Sequence, residues 1–413
     1  MSSIFPHISV ETDQKYLVIT GASGFLGKSL VPLLQAEGYK LLLVGRNPEA
    51  LRSVFPGHAV CGYDDLAEQG AGAVAVLHLA VLNNDQSATL SAFEEANVAL
   101  LSQVIAHAWT AGIDQLIYPA TLHALQGHTD PYAQSKVNAE TLLADVDGID
   151  VTLLRLPAVY GDGAYKGRLA MLNKLPSALR GIAFQVLAAI KPTVHVRQIA
   201  DAVIDTATHG NHEDRIISDG QRGNLVFATV KKLIDLAFVA FVVVFLWWAL
   251  LLVWVAVRFS SPGPAIFAQD RVGKGGKVFT CYKFRTMHQG TRQAGTHEMT
   301  AASITKVGNF LRKTKLDEFP QIWNMLKNEV SLIGPRPCLP VQDELVAQRH
   351  AWGVFDVLPG ISGLAQCQGI DMSDPVRLAR KDAEYIACRT LPLELKIIVA
   401  TATGGGQGDK VQS

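Results

Sequence analysis

The stretch YLVITGASGFLG, residues 16–27, predicts the fold of the first half of the chain. It begins with a short apolar run typical of a buried strand. Three glycines, Gly21, Gly24 and Gly27, then lead into a helix-like segment at 25–37. In this strand–turn–helix order, glycines allow a tight turn, a close approach of the backbone to a pyrophosphate, and close packing of the helix on the strand. Because a helix N-terminus also favours anions, the stretch predicts a dinucleotide-binding site.

Strand-like and helix-like segments alternate beyond this stretch. Apolar runs follow at 41–44, 74–79, 115–118 and 151–156, and helical segments, among them 92–111 and 132–146, separate them. Such alternation predicts an α/β fold, a Rossmann-like doubly wound parallel sheet with helices on both faces. The pattern fades after about residue 205, and we place a first domain at 1–222.

The end of the second strand-like run bears on the choice of cofactor. An acid at this point would bind a ribose 2′-hydroxyl, whereas an arginine accommodates a 2′-phosphate. The chain has Arg46 and no acid before Glu49. NADPH is therefore favoured and NAD is the alternative; Arg46 could also be a solvated surface charge.

Charge balance and cysteine usage exclude several classes of protein. Lysine and arginine number 37 and the acids number 37, so no net field points to nucleic acid and we expect no such partner. The five cysteines are scattered and form no CxxC pair, which indicates neither a disulfide framework nor a zinc site and suits a reducing compartment. Residues 1–16 lack the basic start and apolar core of a signal peptide.

One apolar stretch explains why 49% of the residues are hydrophobic. Residues 236–257 carry no charge and are long enough to cross the core of a bilayer. We therefore expect a membrane-associated helix at 223–258, contact with membrane lipid, and a small, mostly helical catalytic domain at 259–413. A buried helix of a soluble protein is the alternative, but three tryptophans in so apolar a run are unusual for a soluble core.

Tyr132 and Lys136 are a candidate proton-transfer pair. Four residues apart on a predicted helix, they lie on one face. A nearby ammonium favours the phenolate form of tyrosine, so Tyr132 could exchange a proton near neutral pH. The spacing alone also arises by chance in ordinary surface pairs.

The order of these motifs resembles the extended short-chain dehydrogenase/reductases that modify nucleotide sugars. The resemblance spans about residues 16–220 and rests on GASGFLG, the HLA of 78–80, Asn97, Tyr132–Lys136, PAVYG (157–161) and VHVRQIADAV (194–203). It implies that Thr121 holds the sugar carbonyl or hydroxyl, that Tyr132 transfers the proton, and that Lys136 also holds the nicotinamide ribose. The cofactor contacts that it implies are Gly21, Ser23, Gly24, Phe25, Leu26, Gly27, Arg46, Asp65, Leu79, Ala80, Tyr132, Lys136 and Pro157.

Departures from that family narrow the implied activity. Its sugar 4,6-dehydratases have an Asp-Glu pair directly after the catalytic threonine, whereas this chain has Leu122 and His123. A dehydratase is therefore not expected. The resemblance favours reduction of a UDP-4-keto-sugar with NADPH. The alternatives are a UDP-sugar 4-epimerase with bound NAD and a non-catalytic, regulatory module that binds nucleotide sugar.

The octapeptide TKLDEFPQ, residues 314–321, places Asp317 and Glu318 side by side. Neighbouring residues of a helix point in different directions, so these acids are badly placed to share a proton. Divergent acids suit phosphoryl transfer, in which one carboxylate attacks phosphorus and another holds Mg²⁺. Basic residues nearby could bind phosphates. Helix capping is the alternative for two acids that precede a proline.

Residues 231–405 closely resemble the bacterial sugar transferases, the monotopic polyprenyl phosphate phosphoglycosyl transferases. The matching motifs are SPGPAIFAQDRVG, KFRTM, LDEFPQ, SLIGPRP and PGISGLAQ. The resemblance implies that Asp317 attacks the β-phosphate of a UDP-sugar, that UMP leaves, and that polyprenyl (undecaprenyl) phosphate then takes the phosphosugar. It also implies that Glu318 is the magnesium ligand. The phosphate and uridine contacts that it implies are Arg271, Lys283, Arg285, Arg312 and Arg336.

The membrane segment departs from this family at its midpoint. Where the family usually has a Ser-Pro pair that turns the helix back, this chain has Trp247-Trp248 and neither proline nor glycine. The segment alone therefore predicts a straight spanning helix. Function predicts otherwise, because NADPH and UDP-sugars are cytoplasmic and the two domains need them. Basic residues such as Lys231 and Arg258 also lie on both flanks, and positive charge marks the cytoplasmic side. We predict a re-entrant or in-plane helix in the bacterial inner membrane, with both domains facing the cytoplasm; a homodimer is left open.

Overall fold

The computed structural model describes residues 15–82, 89–122, 130–162, 165, 167–210, 214–288 and 304–405. These residues form two compact units. The first contains the described residues up to Pro176 together with Thr193–Asp219, and the second contains Ser177–Pro192 and the described residues from Gly220 onward. The segment 177–192, which lies inside the predicted first domain, therefore folds with the second unit.

A parallel sheet is the centre of the first unit. The strands of the first unit, among the described residues, are β1 (Tyr16–Thr20), β2 (Lys40–Val44), β3 (Ala59–Cys61), β4 (Ala75–His78), β5 (Gln115–Thr121), β6 (Asp150–Leu156), β7 (Ala158–Tyr160), β8 (Thr193–His195) and β9 (Arg215–Ile216). β7 and β8 pair with each other, and the others form one parallel sheet in the order β3-β2-β1-β4-β5-β6-β9. The order reverses between β1 and β4, which is the switch point at which doubly wound sheets bind ligands.

Helices accompany this sheet along the chain. They are α1 (Phe25–Ala36), α2 (Pro48–Val54), α3 (Leu66–Gln69), α4 (Leu90–Glu94), a π-helical stretch (Glu95–Ala99), α5 (Leu100–Thr110), α6 (Pro131–Ala144), a 3₁₀ helix (Gly167–Lys174) and α8 (Val196–His209). The helix between the last two, α7 (Ser177–Ile190), belongs to the second unit.

The alternation of side chains along β1 separates two hydrophobic cores. Ile19 belongs to a buried cluster with Leu30 of α1 and Ile199 of α8. Val18, the preceding residue, belongs to a second cluster with Val104 of α5 and Ala139 of α6. Because successive strand residues point to opposite faces, the sheet is buried on both sides. The predicted doubly wound fold is confirmed.

The second unit is mostly helical, as predicted for the C-terminal region. Its helices are α7, α9 (Leu225–Phe245), α10 (Trp247–Ser260), α11 (Lys306–Thr314), α12 (Ile322–Leu326), α13 (Asp343–Ala351), α14 (Leu364–Cys367), α15 (Pro375–Cys388) and α16 (Leu391–Ala402), with 3₁₀ helices at Lys274–Gly276, Leu316–Gln321 and Val354–Asp356. Its strands are β10 (Ile266–Val272) and β11 (Val278–Phe284), which are antiparallel, and β12 (Ser331–Ile333) and β13 (Gly360–Ser362), which are parallel.

The apolar segment forms two helices, α9 and α10, rather than one. They meet at Leu246 and are bent by 71° relative to each other. No single helix in the described part of the chain is long and apolar enough to cross a membrane, but this pair meets both conditions when its helices are taken together. The straight helix that the segment alone predicts is therefore wrong, and the bend agrees with the predicted re-entrant helix.

Candidate active sites

The glycine-rich turn after β1 forms a narrow cradle at the switch point. Gly21 has φ of +69°, and a Cβ there would lie 2.5 Å from the backbone nitrogen of Ala80. A Cβ at Gly27 would lie 2.5 Å from the Cα of Ala22, so the turn and the helix packing both require glycine. Gly24 is the N-cap of α1 and provides no side-chain cap. The positive end of the helix dipole therefore faces the cradle.

The segment after β4 is held beside this cradle. The hydroxyl of Thr20 lies 3.0 Å from Nδ1 of His78 and accepts a hydrogen bond from the backbone N–H of Ala80 at 3.3 Å. Burial, and next the charge of Lys136, lowers the pKa of His78 to about 3. The imidazole is therefore neutral at physiological pH and acts as a structural hydrogen-bonding group.

Asn97 links the same segment to α6. It is fully buried in the π-helical stretch. Its side chain accepts a hydrogen bond from the N–H of Leu82 at 2.7 Å and donates one to the hydroxyl of Ser135 at 3.0 Å. One amide thus ties the loop after β4 to the helix that carries Tyr132, and π-helical insertions are frequent at functional sites of this kind.

Tyr132 and Lys136 lie one turn apart on α6, as the spacing predicted. The Tyr132 ring is edge-on to Phe93, with centroids 5.8 Å apart. The ammonium of Lys136 is buried and donates to the hydroxyl of Tyr118 at 3.0 Å. Burial lowers the pKa of Lys136 to about 7, against the opposing charge of Glu140. Sequence reasoning missed Tyr118, because a tyrosine inside an apolar strand carries no distinctive pattern.

The remaining predicted cofactor residues, and the predicted catalytic residue Thr121, lie at the carboxyl ends of strands or just beyond them. Ser23 lies in the turn, Phe25 and Leu26 begin α1, Arg46 follows β2, Asp65 precedes α3, Leu79 and Ala80 follow β4, Thr121 ends β5, and Pro157 follows β6. The carboxyl ends of parallel strands meet at one edge of a sheet, so these residues border the same crevice. Of the two residues that argue against a dehydratase, Leu122 is buried and His123 lies outside the described residues.

In the second unit, the two acids of TKLDEFPQ lie in the 3₁₀ helix Leu316–Gln321. The chain enters this helix through Lys315, whose φ is +58°. With three residues per turn, successive side chains of a 3₁₀ helix point about 120° apart. Glu318 points inward and is 9% exposed, whereas Asp317 is half-buried. The acids therefore have different surroundings, as different chemical tasks require.

Two cations hold Glu318. The ammonium of Lys283, on β11, lies 2.7 Å from its Oε1, and the guanidinium of Arg336 lies 3.0 Å from the same oxygen. Burial alone would raise the pKa of Glu318, but the charges of Lys283 and Arg336 outweigh it and lower the pKa to about 2. Glu318 is therefore ionised throughout the physiological range.

Asp317 has the opposite shift. Burial and then the negative charge of Glu318 raise its pKa to about 6, against the opposing charges of Lys283, Arg336 and Arg312. A carboxylate with a raised pKa is more basic than an ordinary aspartate and is still ionised at pH 7. Strongly perturbed acids of this kind are typical of catalytic groups.

Three of the predicted phosphate contacts line one pocket next to these acids. The pocket is lined by Arg271, Cys281, Lys283, Gln321, Arg336, Pro337, Gly360 and Ile361. Arg271 donates to the carbonyl oxygen of Pro337 at 3.0 Å and to the side chain of Gln269 at 2.7 Å. These bonds fix its guanidinium beside the pocket.

The two other predicted contacts differ from each other. Arg312, on α11, donates to the hydroxyl of Thr286 at 3.0 Å, and its charge acts on Asp317. Arg285, which the resemblance implies as a phosphate or uridine contact, has backbone partners elsewhere in this structure. Its buried guanidinium donates to the carbonyl oxygens of Ser261 at 2.7 Å and of Pro262, just past the C-terminal end of α10. Unsatisfied carbonyls and the helix dipole favour a cation there, so Arg285 caps the second apolar helix.

Close backbone contacts bring the matching motifs together. The side chain of Asn324 accepts from the N–H of Tyr282 at 3.2 Å and donates to the carbonyl of Thr280 at 2.8 Å, which joins α12 to β11. A Cβ at Gly360 would lie 2.0 Å from the backbone nitrogen of Gly334. The SLIGPRP and PGISG motifs therefore pack backbone against backbone, and this packing places the loop that carries Arg336.

A buried ion pair lies behind that loop. Arg349 of α13 and Asp382 of α15 are 2.7 Å apart, with side chains 1% and 3% exposed. Arg349 also donates to the backbone carbonyl of Arg336 at 2.7 Å. The pair therefore holds the backbone of a residue that contacts Glu318. No sequence signal could have found it, since a single arginine and a single aspartate 33 residues apart form no motif.

Charged residues of α9 also have internal partners that the sequence did not reveal. Lys231 pairs with Glu394 at 2.5 Å and donates to the carbonyl of Ile333 at 2.8 Å. The buried carboxylate of Asp235 accepts from the hydroxyl of Ser331 at 3.1 Å. Lys231 is therefore a structural tie between α9 and the catalytic region, which weakens its use as a marker of the membrane side.

The acids lie next to the apolar helix α9. Phe319, directly after Glu318, packs against Phe238 of α9 with ring centroids 6.1 Å apart. No group of three side chains suited to a metal ion occurs among the residues that the structure describes. A divalent ion would therefore bind through Glu318, or through both acids, together with substrate oxygens. Mg²⁺ commonly binds through one or two carboxylates and substrate phosphates, so the donor set fits this ion.

Comparison with known proteins assigns the two halves of the chain. Residues 226–406 match the model of the family described as bacterial sugar transferase, and residues 17–217 match that of the NAD dependent epimerase/dehydratase family. The chain belongs to the bacterial sugar transferase family and carries an epimerase/dehydratase-type unit before the transferase region.

Particular relatives are similar over parts of the chain. The UDP-glucose:undecaprenyl-phosphate glucose-1-phosphate transferase of Xanthomonas campestris pv. campestris is 38% identical over 193 residues, which are 43% of this chain and 38% of that protein. The protein of the same name from Caulobacter vibrioides is 35% identical over 182 residues, 41% of this chain and 67% of that protein. The Bordetella bronchiseptica enzyme WbmH in complex with NAD+ is 20% identical, covers 50% of this chain and 76% of its own, and has a TM-score of 0.40.

Proposed function

We propose that the second unit transfers a phosphosugar from a UDP-sugar to polyprenyl phosphate, and that Asp317 carries the phosphosugar between donor and acceptor. The observation that carries this proposal is the divergent pair of acids: Glu318 is ionised between Lys283 and Arg336, and Asp317 has a raised pKa beside a basic pocket. The activities for which the two transferase relatives are named support the same class of reaction.

The proposed reaction has two displacement steps at one phosphorus. In the first, an Asp317 oxygen forms a bond to the β-phosphorus of the UDP-sugar. The bond from this phosphorus to the bridging oxygen breaks, and UMP leaves with that oxygen. In the second, a phosphate oxygen of polyprenyl phosphate bonds to the same phosphorus and the bond to Asp317 breaks. Asp317 is regenerated, and a covalent intermediate divides one displacement into two easier ones.

The neighbouring charges support these steps. Mg²⁺, when bound, would neutralise charge on the diphosphate oxygens. Glu318 would hold the ion, because its lowered pKa keeps the carboxylate ionised throughout the physiological range. Lys283 and Arg336 keep Glu318 ionised and present positive charge to the donor phosphates. The contact of Phe319 with Phe238 favours an acceptor that arrives from the side of the apolar helices.

The covalent step can be tested without the lipid acceptor. We expect the purified protein, given a panel of UDP-sugars and Mg²⁺, to release about one UMP per chain and to gain the mass of one phosphosugar. Asp317→Asn should lose both signals. Asp343→Asn, which changes an exposed aspartate on α13, should keep both. UMP release at the wild-type level by Asp317→Asn would contradict the assignment of the nucleophile.

For the first unit, we propose binding of a nicotinamide dinucleotide, with NADPH preferred, and reduction of a UDP-4-keto-sugar that supplies the donor. The turn at Gly21 and the α1 N-terminus would fit a pyrophosphate, because Gly21 lets the turn approach the backbone of Ala80 closely and no side chain caps the helix at Gly24. Arg46 is exposed directly after β2, where a 2′-phosphate would lie. The bound nicotinamide would supply the hydride.

Side chains of α6 and β5 would position the sugar and transfer the proton. Thr121 would hold the sugar oxygen, and Tyr132 would give it a proton. Lys136 donates to the hydroxyl of Tyr118 at 3.0 Å, and burial raises the pKa of Tyr118, so this phenol stays protonated and fixes the ammonium on the face of α6 that carries Tyr132. The match to the epimerase/dehydratase family makes a 4-epimerase with bound NAD the second candidate.

One set of measurements separates these activities. Oxidation of NADPH with UDP-4-keto-sugars, lost in Tyr132→Phe, is expected for the reductase. Co-purified NAD with interconversion of C4 epimers would instead identify the epimerase. Neither activity across several sugars would favour a module that only binds nucleotide sugar. UMP release by the second unit should be unchanged by Tyr132→Phe, which controls for folding.

We also propose that both units face the cytoplasm of a bacterial inner membrane, with α9 and α10 entering and leaving on one side. Joining the two activities in one chain would deliver the reduced UDP-sugar to the transferase site at high effective concentration. A cysteine in place of Leu225, an exposed residue at the start of α9, tests the orientation in intact cells. Labelling by a membrane-impermeant thiol reagent, above the wild-type level, would contradict a cytoplasmic location.

A further inference from the structure

The outer face of α7 is apolar and takes no part in either proposed activity. Four large apolar residues, Leu179, Ile182, Val186 and Ile190, are 56%, 61%, 42% and 53% exposed. At 3.6 residues per turn these four side chains fall within an arc of about 80°. Single exposed apolar residues are normal on a protein surface, but a continuous stripe along a whole helix indicates a partner.

The other side of α7 is fixed to the second unit. Ala188 and Ala189 are buried. The side chain of Gln185 accepts a hydrogen bond from the N–H of Leu225 at 3.2 Å, and the side chain of Asn224 donates to the carbonyl of Gln185 at 2.9 Å. Asn224 is the N-cap of α9. The helix α7 is therefore attached to the start of the apolar helix pair.

Charge in this part of the chain has one sign. Residues 177–192, the part of the second unit that contains α7, include one arginine, one lysine and no aspartate or glutamate. Arg180 lies within α7 and Lys191 directly follows it. An apolar stripe with basic residues around it is typical of helices that lie in the interface of an anionic membrane. At 14 residues, or about 21 Å, α7 is too short to span a bilayer.

We propose that α7 lies in the membrane interface with its stripe of four apolar side chains in the lipid. It would give the chain a second lipid contact next to α9 and α10, made by a segment that precedes the transferase region. Anionic lipid is favoured as the occupant over protein because α7 is joined to the start of the apolar pair and its neighbourhood is basic. The proposal rests on the membrane location proposed above for α9 and α10.

A spin-label experiment on the full chain tests this. Val186→Cys samples the stripe, Phe245→Cys samples the exposed end of α9, and Val54→Cys samples an exposed apolar residue of α2 in the first unit. Each variant is labelled and placed in nanodiscs that contain phosphatidylethanolamine and phosphatidylglycerol, and the label that wild type takes up is subtracted. Collisions with oxygen report lipid, and collisions with a water-soluble nickel chelate report solvent.

We expect the label at 186 to behave like the one at 245, with oxygen collisions exceeding nickel collisions, and the label at 54 to show the reverse. A label at 186 that resembles the one at 54 would overturn the proposal. Shielding from both reagents would overturn it as well, and spin–spin broadening would then identify a second copy as the occupant. If the label at 245 is also exposed to nickel, the membrane location itself fails, which is a separate outcome. Retained UMP release shows that the second unit, which carries positions 186 and 245, is folded in each variant.

Discussion

Replacing Asp317 by asparagine should abolish phosphosugar transfer and, at the same time, stabilise the second unit. The charge of Asp317 is unfavourable in the folded protein, because it is partly buried and next to the ionised Glu318. Asparagine keeps the shape of the side chain and removes the charge. The nucleophile is lost, but the repulsion between the two acids is lost with it.

The size of this stabilisation follows from the pKa of Asp317. A rise from 3.8 to about 6 corresponds to about 3 kcal/mol, since one pKa unit is about 1.36 kcal/mol. Solvent screens a half-buried charge, so this value is an upper bound and we expect about 1–3 kcal/mol near pH 7. For a unit of this size, each kcal/mol raises the unfolding midpoint by about 2–4 °C.

The pH dependence distinguishes this mechanism from a general packing effect. The folded protein binds the Asp317 proton more tightly than the unfolded chain does. The raised pKa therefore contributes stability that is complete below pH 3.8 and is lost as the pH rises through about 6. The asparagine variant does not titrate in this range. Its advantage over wild type should be small near pH 4, grow up to about pH 7 and then stay constant.

The assay is thermal unfolding, followed by tryptophan fluorescence in nanodiscs at several pH values, together with UMP release from a UDP-sugar. Asp343→Asn, an exposed aspartate-to-asparagine change on α13, is the matched control and should leave both readouts unchanged. The reasoning is refuted if Asp317→Asn is no more stable than wild type at pH 7, or if its advantage persists undiminished at pH 4.

Further predictions concern other contacts of the two units. Tyr132→Phe should remove NADPH oxidation or epimer interconversion without changing UMP release, and equal loss of both would indicate misfolding. Gly334→Ala should destabilise the second unit by about 1–3 kcal/mol in thermal unfolding, because its Cβ would meet the carbonyl oxygen of Leu358 at 2.6 Å; Gly181→Ala, with open space around it, should be neutral or stabilising. Arg349→Leu should destabilise by about 3–5 kcal/mol through the unpaired Asp382. A second substitution, Asp382→Leu, should restore the stability of this variant. It should not restore the KM for the UDP-sugar, because the bond from Arg349 to the carbonyl of Arg336 is still missing.

The first unit was largely predictable because its signals are local. The strand β1, the glycine cradle and α1 follow one another within 21 residues, from Tyr16 to Ala36, and each glycine has a steric reason that can be read from the motif. The strands β3, β7 and β8 were not predicted. Each has three residues, so none shows a measurable alternation, and their pairing depends on neighbours that are distant in the sequence.

The motifs predicted which residues lie near the transferase site, but they fix the direction of a side chain only where the secondary structure around it is known. Lys283 and Arg336, which the resemblance implied as phosphate and uridine contacts, line the pocket beside Glu318, whereas Arg285 does not. In a continuing strand, Lys283 and Arg285 would point to the same face. The strand β11 ends at Phe284, so the alternation ends before Arg285 and its side chain turns to the end of α10. Where a strand ends depends on its pairing with β10, which the pattern of residues does not fix.

The bend between α9 and α10 shows where composition stops being informative. Sharp helix breaks usually trace to proline or glycine, and neither occurs at Leu246 or in the tryptophan pair after it. Polar contacts outside the apolar run fix the two helices instead: Lys231 and Asp235 tie α9 to the catalytic region, and Arg285 caps α10. Lys231 and Asp235 are four residues apart and so lie on one face of an otherwise apolar helix. A charged pair in that setting needs internal partners, since unpaired charges are rarely buried. That pair, rather than the uncharged residues that follow it, was the sequence signal that this helix packs against the rest of the second unit along one side.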